Sequence, residues 1–280
     1  MLEDNPLVKR MILLALEEDI GTGDLTTDAI VSPLARGKAS LVAREDLVLA
    51  GLPVFKEVFN ALSPEIDFEN CFEDGDHVPA GQPVCILKGS LAIILKGERT
   101  ALNFLQRMSG IATLTHKFVS KIFPLKVRLL DTRKTVPGFR FFDKYAVRMG
   151  GAFNHRFGLF DGILIKDNHI KAAGSITAAV EYMRKSVQHT LKIEVEVENI
   201  AGVKEALKAG VDAVLLDNMS LDEMRQAVDL VHGKVMLEAS GGINMDNILD
   251  VAKTGVDLIS VGALTHSAKA ADFSLNIITQ

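Results

Sequence analysis

The choice between two α/β folds rests on one short stretch, Ile193-Glu194-Val195-Glu196-Val197. Its alternation of apolar and acidic residues is typical of a β-strand with one polar face. Strands of an open parallel sheet covered by helices on both faces are apolar almost throughout, whereas the mouth of an α/β barrel accepts polar side chains. The stretch therefore favours a barrel over an open, doubly wound sheet.

Five further apolar runs repeat along the chain, with helix-like segments between them. They are 127–130, 162–165, 213–216, 235–237 and 258–261. Strands that alternate with helices at this spacing predict βαβ units and a parallel sheet. The predicted fold class is therefore α/β.

The first part of the chain has a different rhythm. Asn5 suits the N-cap of a helix that is expected to end at Gly21. Short β-rich runs separated by glycines extend over 37–89 and predict a small α+β domain. A helical pattern follows from about 91 to 123, and we expect a break in it at Ser109-Gly110.

The composition excludes several classes of protein. Of the 280 residues, 48% are hydrophobic and 24% are charged, and the net charge is −5, so neither a disordered chain nor a nucleic-acid-binding protein is expected. Two cysteines are too few for a disulfide framework. The apolar runs are too short for a membrane span and the first residues do not resemble a signal peptide, so we expect a cytoplasmic protein without membrane contact.

Polar residues follow all six predicted strands directly. Because the carboxyl ends of parallel strands lie at one edge of the sheet, these residues predict an active site there. Taken singly, Arg133 and Lys134 also suit a solvated loop, and Asp217 also suits a helix cap. Lys166 ends a buried strand, so we expect it in a cleft, where it can hold an anion or form a Schiff base.

Two glycine-containing turns predict a phosphate site. Ser240-Gly241-Gly242-Ile243 precedes a helix that is expected to begin near Met245, so its backbone N–H groups can surround a phosphate. Ser260-Val261-Gly262-Ala263 follows the last strand. The loops after the last two strands of a barrel are a common phosphate site, which supports the assignment.

Two acidic residues end adjacent predicted strands. Glu196 and Asp217 fit Mg²⁺, which prefers one or two carboxylates together with substrate oxygens. The alternative is a salt bridge from these carboxylates to Lys166 or Arg133.

Positive charge is concentrated in one part of the chain. Residues 95–171 contain 15 Lys and Arg but only 5 Asp and Glu, which predicts a site for small anions in spite of the acidic total. Within this part, His155 suits either a packed core position or, with Arg156 beside it, an anion clamp.

A further set of motifs extends over nearly the whole chain. The motifs are Glu18-Asp19-Ile20-Gly21-Thr22-Gly23-Asp24, Glu98-Arg99-Thr100-Ala101, Asp131-Thr132-Arg133-Lys134-Thr135, Asn154-His155-Arg156, Ile165-Lys166-Asp167-Asn168-His169, Glu194-Val195-Glu196, Leu216-Asp217-Asn218, Glu238-Ala239-Ser240-Gly241-Gly242 and Val261-Gly262-Ala263-Leu264-Thr265-His266. Together they resemble the quinolinate phosphoribosyltransferase family.

The resemblance implies a two-domain fold. An N-terminal α/β sandwich domain would extend over 1–109, and the tail of about 268–280 would pack back on it. An incomplete, six-stranded α/β barrel would occupy 110–267. The resemblance also implies a homodimer or a larger assembly, in which Arg99 enters the barrel mouth of the partner subunit.

The implied reaction transfers the phosphoribosyl group of 5-phosphoribosyl-1-pyrophosphate to quinolinate. Decarboxylation and loss of pyrophosphate would then give nicotinate mononucleotide for NAD synthesis, with Mg²⁺ and without an organic cofactor.

The resemblance assigns a role to each candidate residue. The carboxylates of quinolinate would be bound by Arg99 of the partner subunit and by Arg133, His155, Arg156 and Lys166. Glu196 and Asp217 would hold Mg²⁺, and the 5-phosphate would be bound by Ser240, Gly241, Gly242 and Gly262, with Lys134 and His266 as further contacts. The expected catalytic residues are Arg133, Lys166, Glu196 and Asp217.

Three other functions stay open at this point. One is a Schiff-base aldolase that uses Lys166. Another is a paralogue of the same fold that acts on a different phosphoribosyl acceptor or in metal-oxyanion uptake. The last is a sugar-phosphate-binding protein without catalytic activity.

Overall fold

The structure, a computed structural model, describes residues 5–278. Its helices are α1 (Pro6–Ile20), α2 (Leu25–Ile30), α3 (Leu52–Leu62), α4 (Leu91–Ile122), α5 (Arg140–Met149), α6 (Asp167–Ala173), α7 (Ile176–Ser186), α8 (Ile200–Ala209), α9 (Leu221–Val231), α10 (Ile248–Ala252) and α11 (Ala263–His266). Its strands are β1 (Arg36–Ala43), β2 (Leu47–Val48), β3 (Asp67–Asn70), β4 (His77–Val78), β5 (Pro83–Ser90), β6 (Arg128–Leu130), β7 (Ile163–Ile165), β8 (Ile193–Val197), β9 (Ala213–Asp217), β10 (Met236–Ser240), β11 (Leu258–Ser260) and β12 (Phe273–Ile278). Across this described range, every helix is too short or too polar to cross a lipid bilayer.

The chain divides into two compact units. The first is formed by 1–116, 136–151 and 267–280, and the second by 117–135 and 152–266. The predicted domain limits stay a prediction; the units differ from them most at 136–151, which joins the first unit. Here the buried carboxylate of Asp143 accepts two hydrogen bonds from Arg107, at 3.0 and 2.8 Å.

The first unit contains a four-stranded antiparallel sheet in the order β12-β1-β5-β3. Helix α1 begins and ends where the sequence predicted, because the Asn5 side chain accepts a hydrogen bond from the backbone N–H of Leu7 and Gly21 forms the C-cap. The rings of Phe55 and Phe59 on α3 are fully buried and meet edge to face.

The predicted break in the long helix is wrong, because α4 continues through Ser109 and Gly110 to Ile122. Gly110 is needed for close packing instead, since a Cβ atom at this position would overlap the carbonyl oxygen of Lys269. The hydroxyl of buried Ser109 is also satisfied, at 3.1 Å from both the N and the O of Ala50. Tertiary contacts therefore explain this pair of residues better than a helix end does.

The second unit contains a six-stranded parallel sheet in the order β6-β11-β10-β9-β8-β7. All six predicted strands are confirmed. Each strand lies beside its neighbour in sequence, except that β6 pairs with the last strand, β11. This order is that of an α/β barrel that is open between β6 and β7, whereas a doubly wound sheet reverses its strand order at a switch point. The α/β fold class with a six-stranded parallel sheet is confirmed.

Register brings polar side chains of neighbouring strands to one side of this sheet. Glu196 and Glu238 both lie opposite Leu215, and Ser240 lies opposite Asp217. Paired residues of a ladder point to the same side, and every second residue returns to that side. We call this side the site face; its polar residues are Glu194, Glu196, Asp217, Glu238 and Ser240, with Lys166 directly after β7.

Candidate active site

An ion pair joins two of the predicted catalytic residues on the site face. Nζ of Lys166 lies 2.8 Å from Oε2 of Glu196. The Glu196 side chain is 16% exposed and that of Lys166 is 45% exposed, so the pair lies at the solvent edge of the sheet. The salt bridge that the sequence left open as an alternative is therefore present for Glu196.

His155 faces two carboxylates of the site face. Its Nε2 lies 3.3 Å from Oε2 of Glu194 and 3.7 Å from Oε2 of Glu238. Glu238 is 1% exposed, and its Oε1 is buried without a hydrogen-bond partner among the described residues. Burial, and then the charge of Glu194, raises the pKa of Glu238 to about 7. The imidazole is therefore surrounded by acidic groups.

The segment that carries His155 is anchored by Asp131, a fully buried residue directly after β6. One carboxylate oxygen accepts a hydrogen bond from the backbone N–H of His155 at 2.7 Å, and the other accepts one from the side chain of Asn154 at 2.8 Å. Phe153, just before them, forms a parallel bridge with Leu130 of β6. This segment therefore lies along β6.

The guanidinium group of Arg156 lies near the positive charge of Arg133 and the negative charge of Glu194. Burial, and then the positive charge of Arg133, lowers the pKa of Arg156. Nη1 of Arg156 donates a hydrogen bond to the carbonyl oxygen of Gly162 at 2.8 Å. Its Nε is buried and has no hydrogen-bond partner among the described residues. A guanidinium group with a donor to spare, next to a second positive charge, can bind an anion.

The predicted glycine turn follows β10 directly. The hydroxyl of Ser260 lies 3.0 Å from that of Ser240, which joins the ends of β10 and β11. Gly241 has a φ of +90° and Gly242 has a φ of +63°, values that favour glycine. A Cβ atom on Gly241 would overlap the side chain of Asn218. The turn therefore needs glycine for both its backbone conformation and its packing.

The helix after this turn begins at Ile248, and the expected start near Met245 is wrong. The side chain of Asn247 accepts a hydrogen bond from the backbone N–H of Asn244 at 2.8 Å and donates one to the carbonyl oxygen of Gly242 at 3.0 Å. These bonds keep 244–247 in a turn. The N–H groups available to a phosphate are therefore those of the glycine turn and not those of a helix N-terminus.

Three of the predicted phosphate contacts lie together at the end of β11. A Cβ atom on Gly262 would lie 3.0 Å from Cδ of Lys134 and 3.3 Å from Cδ2 of His266. The hydroxyl of Thr265 donates a hydrogen bond to the carbonyl oxygen of Lys134 at 2.7 Å, which fixes the loop after β6. Lys134 and His266 are both exposed and can reach a ligand from solvent.

Arg99 is the one predicted site residue that belongs to the first unit, as far as residues 5–278 are concerned. It is exposed on α4. The other predicted site residues belong to the second unit and lie at or just beyond the carboxyl ends of its strands, or on the segment after Phe153.

Comparison with known proteins identifies the family. The model of the C-terminal domain of quinolinate phosphoribosyl transferase matches residues 111–276, and that of its N-terminal domain matches 24–109. A probable nicotinate-nucleotide pyrophosphorylase (carboxylating) of Bacillus subtilis (strain 168) is 42% identical over 270 residues, which cover 96% of this chain and 93% of that protein. The chain belongs to the quinolinate phosphoribosyltransferase family.

Solved structures of such enzymes agree with this assignment. The nicotinate-nucleotide pyrophosphorylase of Francisella tularensis superposes with a TM-score of 0.94 at 45% identity, over 99% of each chain. A pyrophosphorylase of the same name from Pyrococcus furiosus, at 19% identity, shares the fold with a TM-score of 0.72 over 98% of this chain and 77% of that chain.

Glu196 and Asp217 stay the predicted ligands of Mg²⁺ in this phosphoribosyltransferase. Both carboxylates belong to the site face on adjacent strands, since Glu196 lies opposite Leu215 and Asp217 follows two residues later. Carboxylate oxygens are the ligands that Mg²⁺ prefers, and a pair of them leaves positions for substrate oxygens. The ion pair with Lys166 orients Glu196 along this edge.

The sequence did not assign the acidic residues around His155 to this phosphoribosyltransferase site. Glu194 alternates with apolar residues on β8 in the same way as Glu196, and this alternation could have indicated that Glu194 also belongs to the site. Glu238 lies within an apolar strand, and Asp131 looked like one more rim residue. Their closeness to 154–155 depends on contacts between β6, β8 and β10, which are far apart in sequence.

Proposed function

We propose that the site face carries out the reaction of a quinolinate phosphoribosyltransferase. The chain joins quinolinate to 5-phosphoribosyl-1-pyrophosphate and forms nicotinate mononucleotide, with loss of pyrophosphate and CO2. One observation supports the assignment of this reaction to these residues. The Lys166–Glu196 pair, the guanidinium groups and the glycine turns all follow strands of the same parallel sheet, at its carboxyl-end edge.

The carboxylates of quinolinate bind to the cations after β6 and β7. Burial, and then the positive charge of Arg133, lowers the pKa of Arg156. A dianion between the two guanidinium groups relieves the repulsion between their charges. Arginine binds a carboxylate through two parallel hydrogen bonds, which also fixes the orientation of the pyridine ring. Lys166 supplies a third positive charge. His155 belongs to the same pocket.

Lys166 exchanges partners when quinolinate binds. Its ammonium group, now 2.8 Å from Glu196, moves to a substrate carboxylate. Glu196 then has an unpaired charge next to Asp217. Mg²⁺ bound by these two carboxylates would neutralise the charge of the departing pyrophosphate. The Lys166–Glu196 pair thus gives each group a partner before the substrates arrive.

The 5-phosphate of the ribosyl donor binds at the two glycine turns. Backbone N–H groups of Gly241, Gly242 and Gly262 bind its oxygens at the turns after β10 and β11, and Ser240 adds a hydroxyl. Lys134 and His266 lie beside Gly262 and add donors from the solvent side. Binding at the last two strand ends is the usual arrangement in α/β barrels.

Positioning and charge perform the chemistry. The bond from C1 of the ribose to pyrophosphate breaks as the pyridine nitrogen forms its bond to the same carbon. The ring nitrogen becomes positively charged, so it stabilises the electron pair that stays on the adjacent ring carbon when the carboxylate departs as CO2. A proton from water then bonds to that carbon. Arg133, Arg156 and Lys166 hold the ring in line for the attack, which accounts for most of the rate gain.

The proposal includes a homodimer in which Arg99 of the partner subunit contributes to the quinolinate pocket. Its support is that Arg99 is exposed on α4, where its charge is available to a second chain. Mixing an Arg99→Ala variant with a Lys166→Ala variant should restore activity, because some sites then receive both intact residues. No recovery in exchanged dimers would contradict the shared site.

One assay tests the reaction. The purified protein is incubated with quinolinate, 5-phosphoribosyl-1-pyrophosphate and Mg²⁺, and the release of CO2 and pyrophosphate is followed. We expect equal amounts of both products and of nicotinate mononucleotide, and Glu181→Gln, on the exposed side of α7, should react like the wild type. A folded protein that releases no CO2 would contradict the assignment.

A further inference from the structure

The imidazole of His155 has one protonation pattern that fits its contacts. Its Nδ1 accepts a hydrogen bond from the backbone N–H of Arg156 at 2.7 Å. A backbone amide always carries its proton, so Nδ1 must offer a lone pair. An imidazolium would carry a proton on Nδ1 and oppose this N–H group. His155 is therefore neutral, with its proton on Nε2.

The protonated nitrogen, Nε2, faces the carboxylates of Glu194 and Glu238. Nε2 lies 3.3 Å from an oxygen of Glu194 and 3.7 Å from an oxygen of Glu238, and the side chains of His155 and Glu194 are each 14% exposed. Carboxylate oxygens on this side and an N–H donor on the other agree with a proton on Nε2 and a lone pair on Nδ1. Glu238, at 1% exposure, cannot turn away to solvent.

The same three groups have the composition of a cation site, since their donor atoms lie within 4.8 Å of one another. A metal on Nε2 requires that nitrogen to be bare, which moves the imidazole proton to Nδ1. At Nδ1 this proton would point at the backbone N–H of Arg156, whose nitrogen lies 2.7 Å from Nδ1. The hydrogen bond from Arg156 therefore argues for a proton and against a cation in this cluster.

We propose that Glu194 and Glu238 are positioning residues that orient the Nε2 side of the His155 ring, that the N–H of Arg156 at Nδ1 keeps this ring neutral, and that His155 in turn holds the backbone of Arg156. The inference rests on the proposed function, in which Arg156 binds quinolinate. Asp131 fixes the preceding peptide through the N–H of His155 at 2.7 Å. Burial, and then the charge of Glu194, raises the pKa of Glu238, in keeping with a carboxyl group enclosed next to Glu194 and His155.

This arrangement changes what His155 contributes to the site. A neutral ring adds no positive charge, so the charge of quinolinate must be balanced by Arg133, Arg156 and Lys166. The loss of Glu194 or Glu238 then acts on quinolinate through the placement of Arg156. It should raise the KM for quinolinate more than it lowers kcat, and it should leave the KM for the ribosyl donor nearly unchanged.

Nuclear magnetic resonance of the histidine-labelled protein tests the tautomer without substrates. Ring ¹⁵N signals of His155 are assigned by their loss in His155→Gln. We expect an unprotonated Nδ1 and a protonated Nε2 from about pH 6 to about pH 8. An imidazolium at neutral pH, a proton on Nδ1, or a shift of the Nε2 signal on addition of Zn²⁺ would overturn the proposal, even if the enzyme is active.

A double-mutant cycle tests whether Glu194 acts through His155. Glu194→Gln and His155→Gln should each raise the KM for quinolinate about tenfold, and the double variant should be no worse than His155→Gln alone. Glu238→Gln in place of Glu194→Gln should give the same pattern, and Glu181→Gln should change nothing. Independent, multiplying effects would overturn the proposal, and thermal unfolding of each variant confirms that it is folded.

Discussion

Nζ of Lys166 lies 2.8 Å from Oε2 of Glu196, so a residue proposed to bind quinolinate and a residue proposed to hold Mg²⁺ form an ion pair on the site face. Each gives the other a partner of opposite charge, and an unpaired charge at a partly buried position costs free energy. In the proposed mechanism a substrate carboxylate replaces Glu196 as the partner of Lys166. Binding of quinolinate thereby releases Glu196 from Lys166, so that Glu196 and Asp217 can bind Mg²⁺ together.

Removal of this lysine should affect catalysis far more than stability. Lys166→Ala should lower kcat/KM for quinolinate by at least about 100-fold, because it removes a cation from the dianion pocket. The free energy of unfolding should change by less than about 1 kcal/mol, since a pair with a 45% exposed lysine is largely screened by solvent. Steady-state kinetics and urea denaturation measure the two effects.

Lys171→Ala is the matched control for that variant. Lys171 pairs with Asp167 at 3.0 Å on the surface of α6, and its side chain is 74% exposed. Its removal should leave kcat/KM unchanged. An equal loss of activity in both variants would mean that general positive charge, and not the position of Lys166, supports the reaction.

We expect that a lysine cannot perform the function of Arg156. The guanidinium group donates one hydrogen bond to the carbonyl oxygen of Gly162 and keeps further donors for an anion, which a single ammonium group cannot reproduce. Arg156→Lys should raise the KM for quinolinate about tenfold or more. Arg184→Lys, at a surface pair with Asp212, should not change it. An unchanged KM in Arg156→Lys would remove this residue from the pocket.

The glycine turn after β10 allows a comparison of two alanine variants. Gly241→Ala adds a methyl group that overlaps Asn218 in a backbone with φ of +90°, whereas Gly233→Ala has a φ of +71° and open space around it. Both should lose about 1 kcal/mol or more from backbone strain. Only Gly241→Ala should raise the KM for 5-phosphoribosyl-1-pyrophosphate. A similar rise in Gly233→Ala would contradict a phosphate site at this turn.

Glu238 should make stability depend on pH. Its pKa is about 7 in the folded protein and near the ordinary value of 4.5 in the unfolded chain, so the folded state binds more protons between these values. The free energy of unfolding should therefore fall as the pH rises from about 4.5 to about 7 and level off above. Urea denaturation across this range should show a weaker slope in Glu238→Gln. The slope of Glu181→Gln should match the wild type, and an unchanged slope in Glu238→Gln would contradict the raised pKa.

Local patterns were sufficient to predict much of this fold. The Asn5 cap, the six strands and the polar residues after them follow from hydrogen bonding and periodicity within a few residues. The alternation at Glu194 and Glu196 also predicted the polar face on which Lys166 and Asp217 are found. These features depend on residues that are neighbours along the chain, and a sequence shows such neighbours directly.

Features that depend on distant contacts could not be predicted. Gly110 looked like a helix break, but it lies against Lys269, and nothing near it in sequence indicates that partner. The acidic neighbours of His155 come from β8 and β10, which approach it only after the sheet has formed. The late start of α10 depends on a hydrogen bond from the Asn247 side chain back to Gly242. In each case the deciding partner is defined by the tertiary fold or by a specific side-chain geometry.

The position of β12 has a consequence for synthesis of the protein. This strand, Phe273–Ile278, pairs along β1, yet the ribosome makes it after all of 117–266. Until then β1 presents an edge of unpaired backbone groups, with Leu41 and Ala43 among its apolar residues, to other nascent chains. The four-stranded sheet can therefore reach its final form only after translation of the barrel strands, and chains that stop before residue 273 would be prone to aggregate.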